Sequence, residues 1–148
     1  MAVRAARGFT LLEVILVLVI AGVMMAVVLG FPLRSASAGD LKAAARALAS
    51  GLRQAQTIAI TTRKDATLTL DLESREFRVN GDGEVRKVSD RLDLKLFTAQ
   101  QEVQSERVGS IRFYPNGSST GGRITVAAGE RKYLVDVDWI TGRVTISD

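Results

Sequence analysis

The 148-residue chain has no cysteine and no histidine. Without cysteine there is no disulfide framework and no thiolate chemistry. Without histidine the commonest general base and the commonest metal ligand are both missing. The serines and aspartates therefore have no imidazole to join them into a triad, and no nucleophile elbow is present. Charge is scarce in one place above all. From Phe9 to Phe31 there is no Lys, Arg or Asp, and Glu13 is the single ionisable side chain. The net charge of +4 looks basic, but Arg4 and Arg7 supply half of it. The remainder is spread along the chain, whereas nucleic-acid binding needs clustered Lys and Arg.

The uncharged run is apolar on every side: Ile15, Leu16, Val17, Leu18, Val19 and Ile20 cover all faces of a helix. A helix packed on a soluble core needs only one apolar stripe. At 1.5 Å per residue, Phe9 to Phe31 reaches roughly 34 Å, enough for a ~30 Å hydrocarbon core. Arg4 and Arg7 place the N-terminus on the cytoplasmic side by the positive-inside rule. The segment reads as a membrane anchor. Secretory signal peptides have h-regions of about 7–15 residues, shorter than this one, although Ser35-Ala36-Ser37-Ala38 offers a small-residue cleavage site. Glu13 is what a plain anchor leaves unexplained. A carboxylate at the centre of a spanning helix costs about 2.5–3.5 kcal/mol, and less near the interface.

Arg7-Gly8-Phe9-Thr10-Leu11-Leu12-Glu13 resembles the class III leader of type IV pilins and type II secretion pseudopilins. The resemblance implies that a membrane-embedded prepilin peptidase cuts after Gly8 and methylates the new amine of Phe9. It also implies that Glu13 forms a salt bridge with the N-terminal amine of a neighbouring subunit during filament assembly. The physics agrees. A freed α-amine is a cation at neutral pH, and helix positions i and i+4 share a face. Phe9 and Glu13 therefore present opposite charges side by side, and the acid, costly alone, is satisfied once subunits stack. Gly30 and Pro32 mark a kink or break, because Pro removes a helical hydrogen bond and crowds the preceding turn.

Beyond a linker at 32–39, Asp40 is suited to cap a second helix. Leu41, Ala45, Leu48, Leu52, Ala55 and Ala59 make one stripe, with Lys42, Arg46, Ser50 and Arg53 off it, so the pattern predicts helix over 40–61. From 66 onward the period becomes two. Leu68-Leu70-Leu72, Phe77-Val79, Leu92-Leu94-Leu96, Ile111-Phe113, Ile124-Val126, Tyr133-Val135-Val137-Trp139 and Val144-Ile146 read as antiparallel strands over 66–148. Residues 97–110 read as a loop. The fold class is α+β: a transmembrane helix at 9–31 after a leader at 1–8, then a pilin-like periplasmic domain at 40–148 with its helix on antiparallel sheet.

Several stretches invite chemical readings. Pro115-Asn116-Gly117-Ser118-Ser119-Thr120-Gly121-Gly122 lacks the Lys-Ser/Thr end of a phosphate loop and is read as a hairpin loop. Asn116-Gly117-Ser118 has the form of a glycosylation sequon. Asn80-Gly81-Asp82-Gly83-Glu84 fails the EF-hand spacing, with Arg78 and Ser89 where acids are needed. Asp136 and Asp138 lie two apart, a solvated face or a cation pair. Arg75, Arg78, Arg86 and Lys87 form a basic set interleaved with Glu73, Glu76 and Glu84.

The stretch Ile111 to Gly122, with Ile124, Val137-Asp138 and Thr141-Gly142-Arg143-Val144, is similar to the C-terminal pattern of H-type minor pseudopilins and their minor type IV pilin relatives. The expectation is a non-enzymatic structural subunit in the bacterial inner membrane, single-pass, at or near the tip of a periplasmic pseudopilus that exports folded proteins. Its partners would be other pseudopilins, the inner-membrane assembly platform and the prepilin peptidase. No cofactor, metal, nucleic acid or small-molecule substrate is expected. The alternatives are a minor pilin of a type IV pilus, serving DNA uptake, and a soluble domain released after Ala38.

Overall fold

The computed structural model describes residues 10–29, 37–80, 83–105 and 107–148. The chain divides into two units, Met1–Arg34 and Ser35–Asp148. Among the described residues of the first, α1 spans Leu11–Leu29. Its side chains from Leu11 to Met25 are all exposed. Among the described residues no helix is long and apolar enough to cross a membrane. The nineteen residues of α1 reach about 28 Å at 1.5 Å each, just short of a ~30 Å core. The apolar sequence continues through Gly30 and Phe31, outside the described residues.

The second unit is built on α2 (Ala38–Thr62). Its N-cap is Ser37, not Asp40. Ser37 Oγ accepts from Asp40 N at 3.0 Å, and Asp40 Oδ2 accepts from Ser37 N at 3.2 Å. This is a capping box, with the acid at the third helical position, where it also meets the positive end of the helix dipole. The helix therefore begins two residues before the sequence reading and takes Ala38 and Gly39 from the expected linker. The predicted stripe is the buried face: Leu41, Ala45, Leu48, Leu52, Ala55 and Ala59 are at most 2 % exposed. Gly51 lies on it too. A Cβ there would sit 2.9 Å from both the Leu68 and Phe77 side chains, so the glycine lets the helix backbone approach the sheet.

Among the described residues, eight strands form two antiparallel sheets: β1 (Ala66–Asp71), β2 (Glu76–Val79), β3 (Val85–Lys87), β4 (Asp93–Thr98), β5 (Val108–Phe113), β6 (Gly122–Ala128), β7 (Arg131–Val137) and β8 (Val144–Ser147). The first sheet has the order β3-β2-β1-β5 and the second β4-β6-β7-β8. The buried side of α2 covers both, and Leu68, Leu70, Phe77, Ile111, Phe113, Ile124, Val126 and Val135 join it in one core. Alternation places these side chains inward and their neighbours outward.

The loop read at 97–110 is shorter than expected: β4 runs to Thr98, a 3-10 turn covers Gln100–Glu102, and β5 begins at Val108. Glu102, 6 % exposed, holds this connection through an ion pair to Arg112 Nε at 2.7 Å. That polar link is what an alternation count cannot register. The stretch from Pro115 does turn as a hairpin: Phe113 bridges Ser119 antiparallel, and Tyr114 N donates to Ser118 O at 2.9 Å, before the chain leaves for β6 in the other sheet. The sheets meet where Thr98 Oγ1 donates to Ser110 O at 2.6 Å.

Candidate functional site

Two places carry the candidate residues. On α1, the Thr10 hydroxyl accepts from Glu13 N at 3.3 Å, and the Thr10 carbonyl accepts from Glu13 N at 3.0 Å and Val14 N at 3.3 Å. Thr10 is thus the N-cap and Glu13 the third residue of the helix. Thr-x-x-Glu before an apolar run is itself a helix-start pattern, a signal that reading Glu13 only as an intermembrane charge passes over. The acid gains some stability from the helix N-terminus, yet it stays exposed on an apolar helix with no cation beside it among the described residues. Gly8, Phe9, Gly30 and Pro32 lie outside the described residues.

The second place is the end of the domain where α2 finishes. Gln56 Nε2 donates to Gly117 O at 3.0 Å and to Thr141 O at 3.2 Å, tying the β5–β6 and β7–β8 loops to one helical side chain. Gly142 has φ +63, and a Cβ there would land on Gly117 O and the Gln56 amide. The two motifs that looked like separate turns in the sequence are packed against each other here. Ser119 N donates to Trp139 O at 2.9 Å, and Ser119 Oγ accepts from Gly121 N at 3.0 Å. Asp138 Oδ1 accepts from Ile140 N, Thr141 N and Thr141 Oγ1 at 3.0, 2.7 and 2.9 Å. Those bonds, the Thr141 backbone N–H first, hold its carboxyl below the ordinary value near 3.8. Trp139, expected to continue the inward alternation of β7, lies beyond the strand and is 66 % exposed; Ile140 is 61 % exposed.

Asp136 and Asp138 are not brought together as a cation pair. Asp136 faces Arg123 across β6 and β7 and pairs with it, while Asp138 is turned into its own loop. Among the described residues no group of three or more metal-capable side chains gathers. The basic set is largely paired. Arg86 meets Glu84 at 3.0 Å, Lys87 meets Glu76 at 3.7 Å, and Arg75 donates to the carbonyls of Ser89 and Leu92. A phosphate backbone would find few uncompensated cations there.

Two family models match this chain. Residues 3–29 match the prokaryotic N-terminal methylation motif, and residues 44–142 match the family model described as type II transport protein GspH. The type II secretion system protein H of Xanthomonas campestris pv. campestris is 36 % identical over 95 % of this chain and 83 % of its own length. The minor pseudopilin EpsH of Vibrio cholerae superposes with a TM-score of 0.55 at 14 % identity, covering 73 % of this chain and 96 % of that one. The type IV minor pilin FimU of Pseudomonas aeruginosa gives 0.58 at 13 % identity, over 74 % and 90 %. At such identities the two structures speak for the pilin-like fold alone. The family match spans both motif-bearing loops and most of α2, and on it the chain belongs to the type II transport protein GspH family.

Proposed function

We infer that this chain, a minor pseudopilin of a type II secretion system, enters a periplasmic filament through a carboxylate that lipid tolerates only in the assembled state. The observation that carries this is Glu13, exposed in the first turn of an apolar helix whose described side chains from Leu11 to Met25 are exposed as well. In this reading the leader ends at Gly8, Phe9 becomes the methylated N-terminus, and its amine meets Glu13 of an adjacent subunit. The segment 9–31 spans the inner membrane with its start in the cytoplasm, Gly30 and Pro32 mark its exit, and the domain from Ser37 onward stands in the periplasm. The partners are other pseudopilins, the assembly platform and the prepilin peptidase, whose substrate this chain is. Its place is at or near the filament tip, and its contribution to export is mechanical.

Two observations weigh against the alternatives. The paired basic set offers little to DNA, which disfavours an uptake pilin. Release after Ala38 would cut inside the first turn of α2 and strip the helix of its Ser37 cap. The test is direct. Glu13→Ala inserts normally but is lost from sheared or co-sedimented filaments, and secretion falls with it; mass spectrometry of the native protein finds a methylated Phe9 as first residue. Normal incorporation of Glu13→Ala, or a chain that still begins before Gly8, overturns the reading.

A further inference from the structure

The chain has two asparagines, Asn80 and Asn116, and each is followed by glycine. In an Asn-Gly pair the side-chain amide is open to attack by the next backbone nitrogen, because glycine has no side chain to hinder the approach. Asn116 is the one whose neighbours are all described, and its side chain is held. Ser118 N donates to Asn116 Oδ1 at 3.1 Å, and Ser118 Oγ donates to the same oxygen at 2.7 Å. The backbone is held as well. Gly117 N donates to Tyr114 O at 2.9 Å, and Tyr114 N donates to Ser118 O at 2.9 Å. Pro115 and Asn116 are the central residues of this turn and neither has a positive φ. That makes it a type I turn, with ψ about 0° at Asn116.

The reaction open to this pair needs only water. A base removes the Gly117 N–H proton, and the nitrogen lone pair attacks Asn116 Cγ. The Cγ–Nδ2 bond breaks, and the leaving group departs as ammonia with a proton from solvent. Water then opens the cyclic imide, at the side-chain carbonyl to give aspartate or at the main-chain carbonyl to give isoaspartate. Closing that ring requires ψ of Asn116 to rotate far from its turn value, so the bond from Gly117 N to Tyr114 O has to break first. It also requires the side chain to turn until Cγ meets Gly117 N, which the two bonds from Ser118 resist. Asn116 is exposed, so solvent base reaches it and burial gives no protection. The hydrogen bonds have to supply it. Losing them carries a structural cost: isoaspartate adds a backbone atom beside Gly117, whose carbonyl accepts from Gln56 Nε2 at 3.0 Å and abuts Gly142.

We propose that Asn116–Gly117 is a spontaneous deamidation site that the β5–β6 loop holds shut, with the Ser118 hydroxyl as its guard. The proposal goes beyond the filament reading and does not depend on it.

The experiment incubates the full-length chain in detergent micelles at mildly alkaline pH, in heavy-oxygen water whose label enters each new carboxylate. Peptide mass spectrometry follows Asn116. The same chain in denaturing urea gives the unprotected rate, and the ratio of the two rates measures protection. Each variant is referred to its own unfolded rate, so changes in intrinsic reactivity drop out. The folded wild type converts at least about tenfold more slowly than the unfolded chain, as a site that reacts only through local opening does. Ser118→Ala lowers that protection about fivefold, the loss of one hydrogen bond, and Ser118→Thr, which keeps a hydroxyl, retains most of it. Equal rates in the folded and unfolded wild type overturn the proposal. So does unchanged protection in Ser118→Ala, or a loss in Ser118→Thr as large as that in Ser118→Ala.

Discussion

A single glycine shows how tightly the far loops are built. Gly142 adopts φ +63 and faces Gly117 O and the Gln56 amide with no room for a methyl group. Gly142→Ala combines a left-handed conformation with overpacking, so the domain loses roughly 2–4 kcal/mol, seen as a melting temperature lower by about 10 °C. Asp138 makes the same turn depend on pH. Its carboxyl is held below the ordinary value by hydrogen bonds to the charged form, first from the Thr141 backbone and then from the Thr141 hydroxyl. A lowered value in the folded state contributes stability that is present above the unfolded value, near 3.8, and is lost as pH falls through the folded one. The β7–β8 turn therefore loosens below about pH 3.8 while the core persists. Trp139 is the one tryptophan in the chain, so its fluorescence reports the opening, and Asp138→Asn, which cannot titrate, gives a flat profile over the same range. Glu13 belongs to this scale as well: the sequence exposes its oddity because nothing around it is charged.

Helix α2 organises the elements. Its stripe of Leu and Ala was legible because the 3.6-residue period is strong and the side chains are small. Its start was not legible to the residue, because Ser37 and Asp40 are both good N-caps and a three-residue spacing lets one cap while the other answers. The capping box makes a measurable claim: Ser37→Ala removes the Asp40 N bond and destabilises the domain by about 1 kcal/mol, whereas Asp40→Asn, which keeps an acceptor, costs less; urea unfolding ranks them. The strands were legible wherever Leu, Val or Ile alternated with polar residues. β3 (Val85–Lys87) escaped because it is a short, charged edge strand, and β5 was entered too late because Val108-Gly109-Ser110 has no alternation to read. There, Gly109 is set by the Leu96 side chain 2.7 Å from where its Cβ would be, a contact from another sheet.

At the scale of the molecule, the described side chains of the first unit are largely apolar and exposed, whereas the second unit buries a core. Among the described residues, the core extends from Leu41 to Val144, all within the second unit. A chain lacking residues 1–34 should therefore unfold cooperatively, with a melting temperature within a few degrees of the full-length protein in detergent; calorimetry of the two decides it, and a truncated chain without a cooperative transition would show that the anchor is part of the fold. By itself the sequence determined the N-terminal methylation motif, the odd acid, the helix stripe and the antiparallel α+β class. These are local: each depends on periodicity or on residues a few positions apart. Only the tertiary structure decided that the strands divide into two sheets, that the chain passes from one to the other between Ser119 and Gly122, and that Gln56 joins loops 61 and 85 residues away. It also decided that Trp139 leaves the core for the surface. Those outcomes turn on which hydrogen-bonding groups meet once the chain is folded, and the pattern of apolar residues along a strand is the same whether its next neighbour lies in one sheet or the other.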